Sequence, residues 1–258
     1  MNTKIQKSDT KAIATTIDAQ KVELLIDNFL SSQDIRESSK QLYRRTLRQY
    51  FNWVNKKGYD LSKVARPQIL EYKEDLFKEG LSSLTVGSYI TAVRRLYDWL
   101  EANKIYPNVA KGIKTPYRKK QFRKQSLTPE QATELLEYYK GKALRDFAIV
   151  NLLLRTGLRT IEVSRANIED ITFKGNQRVL VIQGKGRDEK DDFVILTDSA
   201  YKPIAKYLKS RGKVNSGEPL FVSNSNNNKG KRLSTRTISY IAKEGLKAIG
   251  LDNRGFTA

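Results

Sequence analysis

The amino-acid sequence predicts a mainly α-helical protein with one small antiparallel β-sheet, an α+β fold. Four successive amphipathic helix patterns fill residues 19–106, and two strand patterns stand among further helices in residues 128–258. Between them, residues 104–129 hold eight basic residues, no acidic residue and three of the six prolines of the chain. We therefore expect a polar arm over residues 1–18, a helical domain over 19–106, a basic linker over 107–127 and a mixed domain over 128–258.

The composition excludes much of enzyme chemistry and favours an anionic partner. The 258 residues contain no Cys and no His, which excludes disulfides, thiolate or imidazole metal sites, a catalytic Cys and any Ser-His-Asp triad within them. The net charge is +20, and such a field concentrates polyanions. Nucleic acid is the usual intracellular polyanion, while an anionic membrane surface or ribosomal RNA would satisfy the same field. The longest nearly apolar run, residues 148–154, is far shorter than the ~20 residues that span a bilayer, so we expect a cytoplasmic protein.

Apolar side chains at steps of three and four residues define the four helices of the first domain. The patterns run over residues 22–29, 43–54, 69–77 and 86–100. Ser38 and Ser39 are the expected caps of the second helix, and Pro67 suits the first turn of the third. The second and fourth helices also carry a polar face with groups that contact phosphates and base edges, and an ordinary solvated helix face is the alternative interpretation. These candidate DNA contacts are Arg44, Arg45, Arg48, Thr91, Arg94 and Arg95.

The basic linker, residues 107–127, should run over the surface as an extended segment, because prolines oppose helix formation and uncompensated charges oppose burial. Such a segment is suited to follow a phosphate backbone. A linker that is merely soluble is the alternative. The candidate DNA contacts of the linker are Lys114, Arg118, Lys119, Lys120, Arg123 and Lys124.

The second domain begins at a helix start, Thr128-Pro129-Glu130-Gln131, which combines a cap residue, a first-turn proline and a partner for the cap. Residues 143–156 are apolar on nearly every side and predict a central, buried helix that ends at Gly157. Two later strands form a hairpin around the charged loop 184–190. The hairpin strands are expected over residues 178–183 and 192–196, and an earlier strand over 168–173. Helices are expected over 199–209 and 235–249, the last capped by Ser234.

The run Thr156-Gly157-Leu158-Arg159-Thr160-Ile161-Glu162-Val163, followed by a hairpin with Gly184-Lys185-Gly186 and a helix bearing Arg and Thr, resembles the phage-integrase family of tyrosine recombinases. The string T-G-L-R-x-x-E is weak alone, but the Gly-Lys-Gly hairpin 26 residues after the arginine makes the match specific. The resemblance implies a SAM-like core-binding domain, a DNA breaking-rejoining catalytic domain and site-specific recombination for a mobile element or phage. It also implies a nucleoid-associated bacterial protein that works as a tetramer on two DNA duplexes, with no cofactor and no metal.

By this resemblance, three residues have catalytic roles. A tyrosine hydroxyl attacks a scissile phosphate to form a 3′-phosphotyrosyl bond, and Arg159 matches the arginine that holds phosphate oxygens. Glu162 matches the acidic position that orients the site, and Lys185 matches the hairpin lysine that protonates the leaving 5′ oxygen. Without the family order, Arg159 and Glu162 would be a helix ion pair and Lys185 an exposed turn lysine. The DNA-contacting helix of the family is matched by the segment with Arg232, Thr235 and Arg236.

The family pattern also includes a His-x-x-Arg box and a later nucleophilic tyrosine, which these 258 residues do not contain. We therefore expect the catalytic domain to be incomplete on its C-terminal side, and the 258 residues to bind DNA without cleaving it. A recombinase-derived DNA-binding protein with no chemistry is the alternative. An RNA-binding module is a third hypothesis, disfavoured because the sequence shows no aromatic-rich strand motif that stacks bases.

Overall fold

The computed structural model describes residues 18–117, 124–253 and 255–256, which form two compact units. Unit 1 lies within residues 1–120 and unit 2 within residues 121–258. The described residues are mainly helical with one three-stranded antiparallel sheet, so the predicted fold class is confirmed. None of the helices in these residues is both long enough and apolar enough to cross a membrane.

Unit 1 is a group of helices around an aromatic-rich core. Its helices are α1 (Ala19–Ser31), α2 (Glu37–Lys56), α3 (Arg66–Lys78) and α4 (Ser83–Ala102). Ser82 begins α4 by accepting the backbone N–H of Thr85 on its side-chain oxygen. The apolar stripes of α2 and α4 meet in the core, where the buried hydroxyl groups of Tyr50 and Tyr97 lie 2.9 Å apart.

Unit 2 surrounds one central helix. Its elements are α5 (Pro129–Lys140), α6 (Leu144–Thr156), α7 (Thr160–Arg165), β1 (Ile171–Lys174), β2 (Gln177–Ile182), β3 (Asp192–Ile195), α8 (Asp198–Ser210) and α9 (Thr235–Ala248). Helix α6 packs against α5, α8 and α9, and the left-handed backbone of Gly157, with φ +66°, ends it. The strand order is β1-β2-β3, and Leu180 and Ile182 of β2 are buried in the core. The predicted caps Thr128 of α5 and Ser234 of α9 are confirmed.

Two local predictions are wrong. Helix α2 begins at Glu37, so Ser38 and Ser39 lie inside its first turn and are not its caps; an acidic residue at this position suits the positive end of the helix dipole. The strand expected from residue 168 begins at residue 171, because residues 168–170 form a 3-10 turn. The carboxylate of Asp170 holds this turn by accepting the backbone N–H of Asn167 at 2.6 Å.

The first part of the predicted linker is integrated into unit 1. Ala110 and Ile113 are buried in the core of that unit. The ammonium group of Lys73 on α3 donates a hydrogen bond to the backbone carbonyl of Lys114 at 2.9 Å, which holds the segment against the helices. The prediction of an extended surface segment is therefore wrong for residues 109–113. Ala110 and Ile113 enter the core and Val109 packs against it, while the side chains of Lys111 and Lys114 remain exposed.

Candidate functional site

The start of α7 brings two of the predicted catalytic residues together. The backbone N–H of Arg159, the residue before the helix, donates to Glu162 Oε2 at 2.7 Å. The guanidinium Nη1 of Arg159 donates to Glu162 Oε1 at 2.9 Å. The Glu162 side chain is 5% exposed, whereas the Arg159 side chain is 68% exposed. A buried carboxylate therefore orients the guanidinium and leaves most of its donors accessible to an external anion.

Lys185 lies in the exposed loop between β2 and β3, residues 183–191, which we call the hairpin loop. Gly186 has φ +88°, a backbone conformation that favours glycine, and it turns the chain directly after Lys185. The side-chain amide of Gln183 donates to the backbone carbonyls of Arg187 at 3.0 Å and Asp188 at 2.9 Å, which closes the loop. Within the described residues, no side chain pairs with the Lys185 ammonium, so it is available to a phosphate.

Sequence reasoning missed three residues that connect the hairpin loop to its surroundings. Arg165 Nη1, at the end of α7, donates to the backbone carbonyl of Gly184 at 3.1 Å. Lys190 Nζ donates to both carboxylate oxygens of Asp170, at 2.6 and 2.7 Å, and Asp170 is 6% exposed. In the sequence, Asp170 is recognisable only as an acidic residue near the start of the strand expected over 168–173. Its position there does not show that Lys190 is its partner.

The segment that begins α9 holds three predicted DNA contacts in different settings. The Arg236 side chain is exposed and has no partner among the described residues, and Thr235 is half-buried. The guanidinium of Arg232 is instead used inside the chain, where it supports the end of α7. Its acceptors are the backbone carbonyls of Ser164 and Ala166, at 2.8 and 3.1 Å, and the side-chain oxygen of Asn167, at 2.6 Å.

In unit 1, the predicted contacts on α2 and α4 divide into paired and unpaired cations. Arg48 donates Nε and Nη2 to the two carboxylate oxygens of Glu23, at 2.7 and 2.8 Å, and this hydrogen-bonded pairing lowers the pKa of Glu23. Arg44 forms an ion pair with Asp27. The predicted contacts that have no partner within the described residues are Arg45, Arg94 and Arg95.

The remaining predicted contacts are one threonine on α4 and the basic residues of the linker. The hydroxyl of Thr91 donates to the backbone carbonyl of Gly87 at 2.7 Å, and Lys114 and Lys124 are exposed. Arg118, Lys119, Lys120 and Arg123 lie outside the described residues. No group of three or more acidic side chains in the part of the chain that the structure describes is placed to hold a metal ion.

Comparison with known proteins gives consistent matches along the chain. Residues 125–257 match the model of the phage integrase family, and residues 22–104 match that of the phage integrase N-terminal SAM-like domain. The chain is 30% identical over 212 residues to tyrosine recombinase XerC of Shewanella oneidensis, which covers 78% of this chain and 66% of that protein.

Two solved structures share the fold. The XerH site-specific recombinase bound to palindromic difH substrate, in a post-cleavage complex, is 18% identical, with a TM-score of 0.67 over 92% of this chain and 69% of that chain. A lambda integrase tetramer bound to a Holliday junction is 15% identical, with a TM-score of 0.67 over 92% of this chain and 66% of that chain. Both are similar to this chain in fold.

Proposed function

The chain belongs to the phage integrase family of tyrosine recombinases, and from that membership we propose that it binds duplex DNA at recombination sites and contributes Arg159, Glu162 and Lys185 to strand transfer. One observation carries this proposal. At the start of α7 the buried carboxylate of Glu162 accepts both the backbone N–H and the guanidinium of Arg159, and the guanidinium remains 68% exposed. This arrangement presents a rigid, open cation to a phosphate.

In the proposed reaction, a tyrosine hydroxyl releases its proton to water and its oxygen attacks the scissile phosphorus, so that a tyrosyl O–P bond forms and the P–O5′ bond breaks. Arg159 stabilises the negative charge that develops on the non-bridging oxygens, because its planar fork can donate to two of them. Lys185 supplies the proton that the leaving 5′ oxygen takes up. One phosphoester replaces another, so rejoining needs no external energy source.

The interface with DNA is proposed to follow the unpaired cations. Arg45, Arg94 and Arg95 in unit 1 and Arg236 in unit 2 have no acidic partner within the described residues, and the net charge of the chain is +20. A tetramer on two duplexes is the proposed assembly, and the lambda integrase tetramer bound to a Holliday junction, which shares the fold of this chain, supports it.

The alternative function is a DNA-binding relative that performs no chemistry. Such a relative would need neither the His-x-x-Arg box nor the nucleophilic tyrosine of the family pattern. Both functions predict duplex binding by this chain, and they differ in whether a covalent product forms when the box and the tyrosine are supplied on the same polypeptide.

Duplex binding by the purified 258-residue chain tests the shared part of both functions. We expect a steep salt dependence, with a log-log slope of about −5 for six neutralised phosphates, and weaker binding of structured RNA at matched salt. Equal affinity for structured RNA would favour an RNA-binding module instead. Binding that does not change with salt would contradict the proposed interface.

Covalent chemistry is tested on a nicked duplex that carries the binding sequence selected by this chain. We expect no adduct that survives denaturing electrophoresis, because the box and its tyrosine are not among these residues. An adduct would show that another tyrosine of the chain attacks the phosphate. When the box and the tyrosine are supplied on the same polypeptide, we expect Arg159→Ala to bind DNA but to form no adduct, and retained cleavage would refute the role of Arg159.

A further inference from the structure

The hairpin loop is attached to the rest of unit 2 at both of its ends. At the β2 end, Arg165 Nη1 donates to the backbone carbonyl of Gly184 at 3.1 Å. At the β3 end, Lys190 Nζ donates to both oxygens of Asp170, at 2.6 and 2.7 Å. Lys185 lies between these two attachments and directly follows Gly184, so its backbone is held close to one fixed point.

The Asp170–Lys190 contact differs from an ordinary surface ion pair. The Asp170 side chain is 6% exposed and the Lys190 side chain 30% exposed. The same carboxylate also accepts the backbone N–H of Asn167 at 2.6 Å. A buried carboxylate is costly without a cation, so this pair resists opening more than a solvated pair does. The pairing therefore fixes the β3 end of the hairpin loop to the turn that precedes β1.

Contacts within the hairpin loop make it a unit that can be held by its ends. The backbone N–H of Arg187 donates to the Gly184 carbonyl at 3.1 Å, the same carbonyl that Arg165 contacts. The guanidinium of Arg187 pairs with Asp191 at 2.6 Å, inside the loop. Since both Arg187 and Lys190 have acidic partners, Lys185 is the loop cation that has none within the described residues.

Helix α7 connects this loop to the Arg159 site. The helix is six residues long, with Glu162 in its first turn and Arg165 as its last residue. Arg232 holds the chain at the end of α7 by donating to the carbonyls of Ser164 and Ala166, at 2.8 and 3.1 Å. Because α7 is a single short helix between Arg159 and Arg165, the contact of Arg165 with Gly184 links the hairpin loop to the element that carries the Arg159 site.

We propose that Arg165 and the Asp170–Lys190 pair are positioning residues, which hold the Lys185 ammonium at a fixed place relative to the Arg159 guanidinium. The chemical meaning of this inference rests on the proposed function, because a proton donor is effective only when it lies within hydrogen-bond reach of the leaving oxygen. The attachments themselves are properties of the free protein. They can therefore be tested without DNA.

Hydrogen exchange of the free 258-residue chain tests the attachments. We expect Arg165→Met to raise exchange in the peptide over residues 183–191 by about fivefold, the effect of one lost hydrogen bond. Lys190→Met should raise it at least as much, because it removes two hydrogen bonds and leaves the buried Asp170 carboxylate without its cation, and neither variant should change exchange in α6. Arg187→Met is the matched control, because it removes the same charge from the same loop but its partner Asp191 is local. Lys190→Arg should restore the wild-type rate, since arginine can also pair with Asp170.

Trapping of lysines on DNA tests the effect on Lys185. In a duplex that carries an abasic site, a nearby lysine amine condenses with the sugar aldehyde, loses water and is fixed when borohydride reduces the imine. Mass spectrometry then gives the yield at each lysine. We expect Arg165→Met and Lys190→Met to lower the Lys185 yield about fivefold relative to the exposed Lys213, with Kd within about twofold, and Lys190→Arg to restore it.

The two experiments separate this inference from the proposed function. Unchanged exchange in the hairpin loop of both methionine variants would overturn the inference, whatever the chain binds. Faster exchange with an unchanged Lys185 yield would also overturn it, because the loop would then be attached without positioning the ammonium. If the wild-type chain does not bind the duplex, the proposed function fails, and the exchange measurement alone decides whether the attachments exist.

Discussion

The arginines of α2 and α4 divide into those with an acidic partner and those without one, and this division predicts different salt dependences for duplex binding. Arg45, Arg94 and Arg95 have no partner among the described residues, whereas Arg44 and Arg48 pair with Asp27 and Glu23. The test variant is the triple substitution of the unpaired arginines by glutamine. The control replaces the two paired arginines of α2, Arg44 and Arg48, by glutamine.

The expected magnitude follows from counterion release. Each phosphate contact contributes about −0.9 to the slope of log K against log salt, so loss of three contacts should make the slope less steep by about 2.7. The control should change it by less than about 0.9, because an arginine that leaves Glu23 or Asp27 for a phosphate leaves an unpaired carboxylate beside the DNA.

Fluorescence anisotropy of a labelled duplex, recorded between about 50 and 200 mM salt, gives the slopes of the wild-type chain and both variants. Circular dichroism and urea unfolding serve to check that both variants keep the stability of unit 1. A control variant that flattens the slope as much as the triple variant would refute the reasoning, because intramolecular pairing would then not determine which arginines contact phosphate. An unchanged slope in the triple variant would place the DNA on another surface.

Three further predictions concern stability. Glu162→Ala removes two hydrogen bonds to Arg159 and should lower the free energy of unfolding of unit 2 by about 2 kcal/mol in urea, with Glu162→Gln closer to wild type. Burial raises the pKa of Tyr97 to about 12, so the folded form keeps a proton that the unfolded form loses near pH 10. The contribution of Tyr97 to stability should therefore fall by up to about 1.4 kcal/mol per pH unit from pH 10 to 12, and alkaline unfolding should be less steep by this amount in Tyr97→Phe. Hydrogen bonds from Lys57, Lys78 and Trp53 lower the pKa of Asp75. The ionised carboxylate therefore stabilises the folded form above the ordinary aspartate pKa, and this stabilisation is lost as the pH falls below about 4. Unfolding followed by tryptophan fluorescence between pH 2 and 6 should accordingly be less acid-sensitive in Lys57→Met.

The helices could be predicted from the sequence because the spacing that defines them is local. The stripe from Val86 to Leu100 is apolar at steps of three and four residues, and α4 spans it. The burial of Ala110 and Ile113 could not be predicted in the same way. Arg66 donates to the carbonyl of Lys111, 45 positions later in the chain, and Lys73 donates to the carbonyl of Lys114, 41 positions later. A composition rich in lysine gives no sign of these two contacts.

The candidate site shows the same limit. Arg159 and Glu162 are separated by one helical turn, so the sequence alone places them together, and the structure has them in contact. The pairing of Lys190 with Asp170 joins residues 20 positions apart on two different elements. The loop sequence sets Lys185 apart between two glycines, but it does not distinguish Arg187 from Lys190, because each of these two is a cation beside acidic residues. Their roles separate only when the sheet register brings one of them to a buried acid.

We expect intramolecular pairing, more than the number of cations, to determine which surfaces of this chain can receive a phosphate. A cation bound to a carboxylate must break that contact before it binds DNA, and it leaves a negative charge behind when it does. By this criterion the phosphate-binding arginines of unit 1 are the unpaired Arg45, Arg94 and Arg95, and not the paired Arg44 and Arg48. In the hairpin loop the criterion selects Lys185 over Lys190 and Arg187. In the hairpin loop the proposed task of the paired Lys190 is to hold the unpaired Lys185 in place. The Arg165 and Lys190 variants test that task in the loop, and the glutamine variants of α2 and α4 test the selection itself.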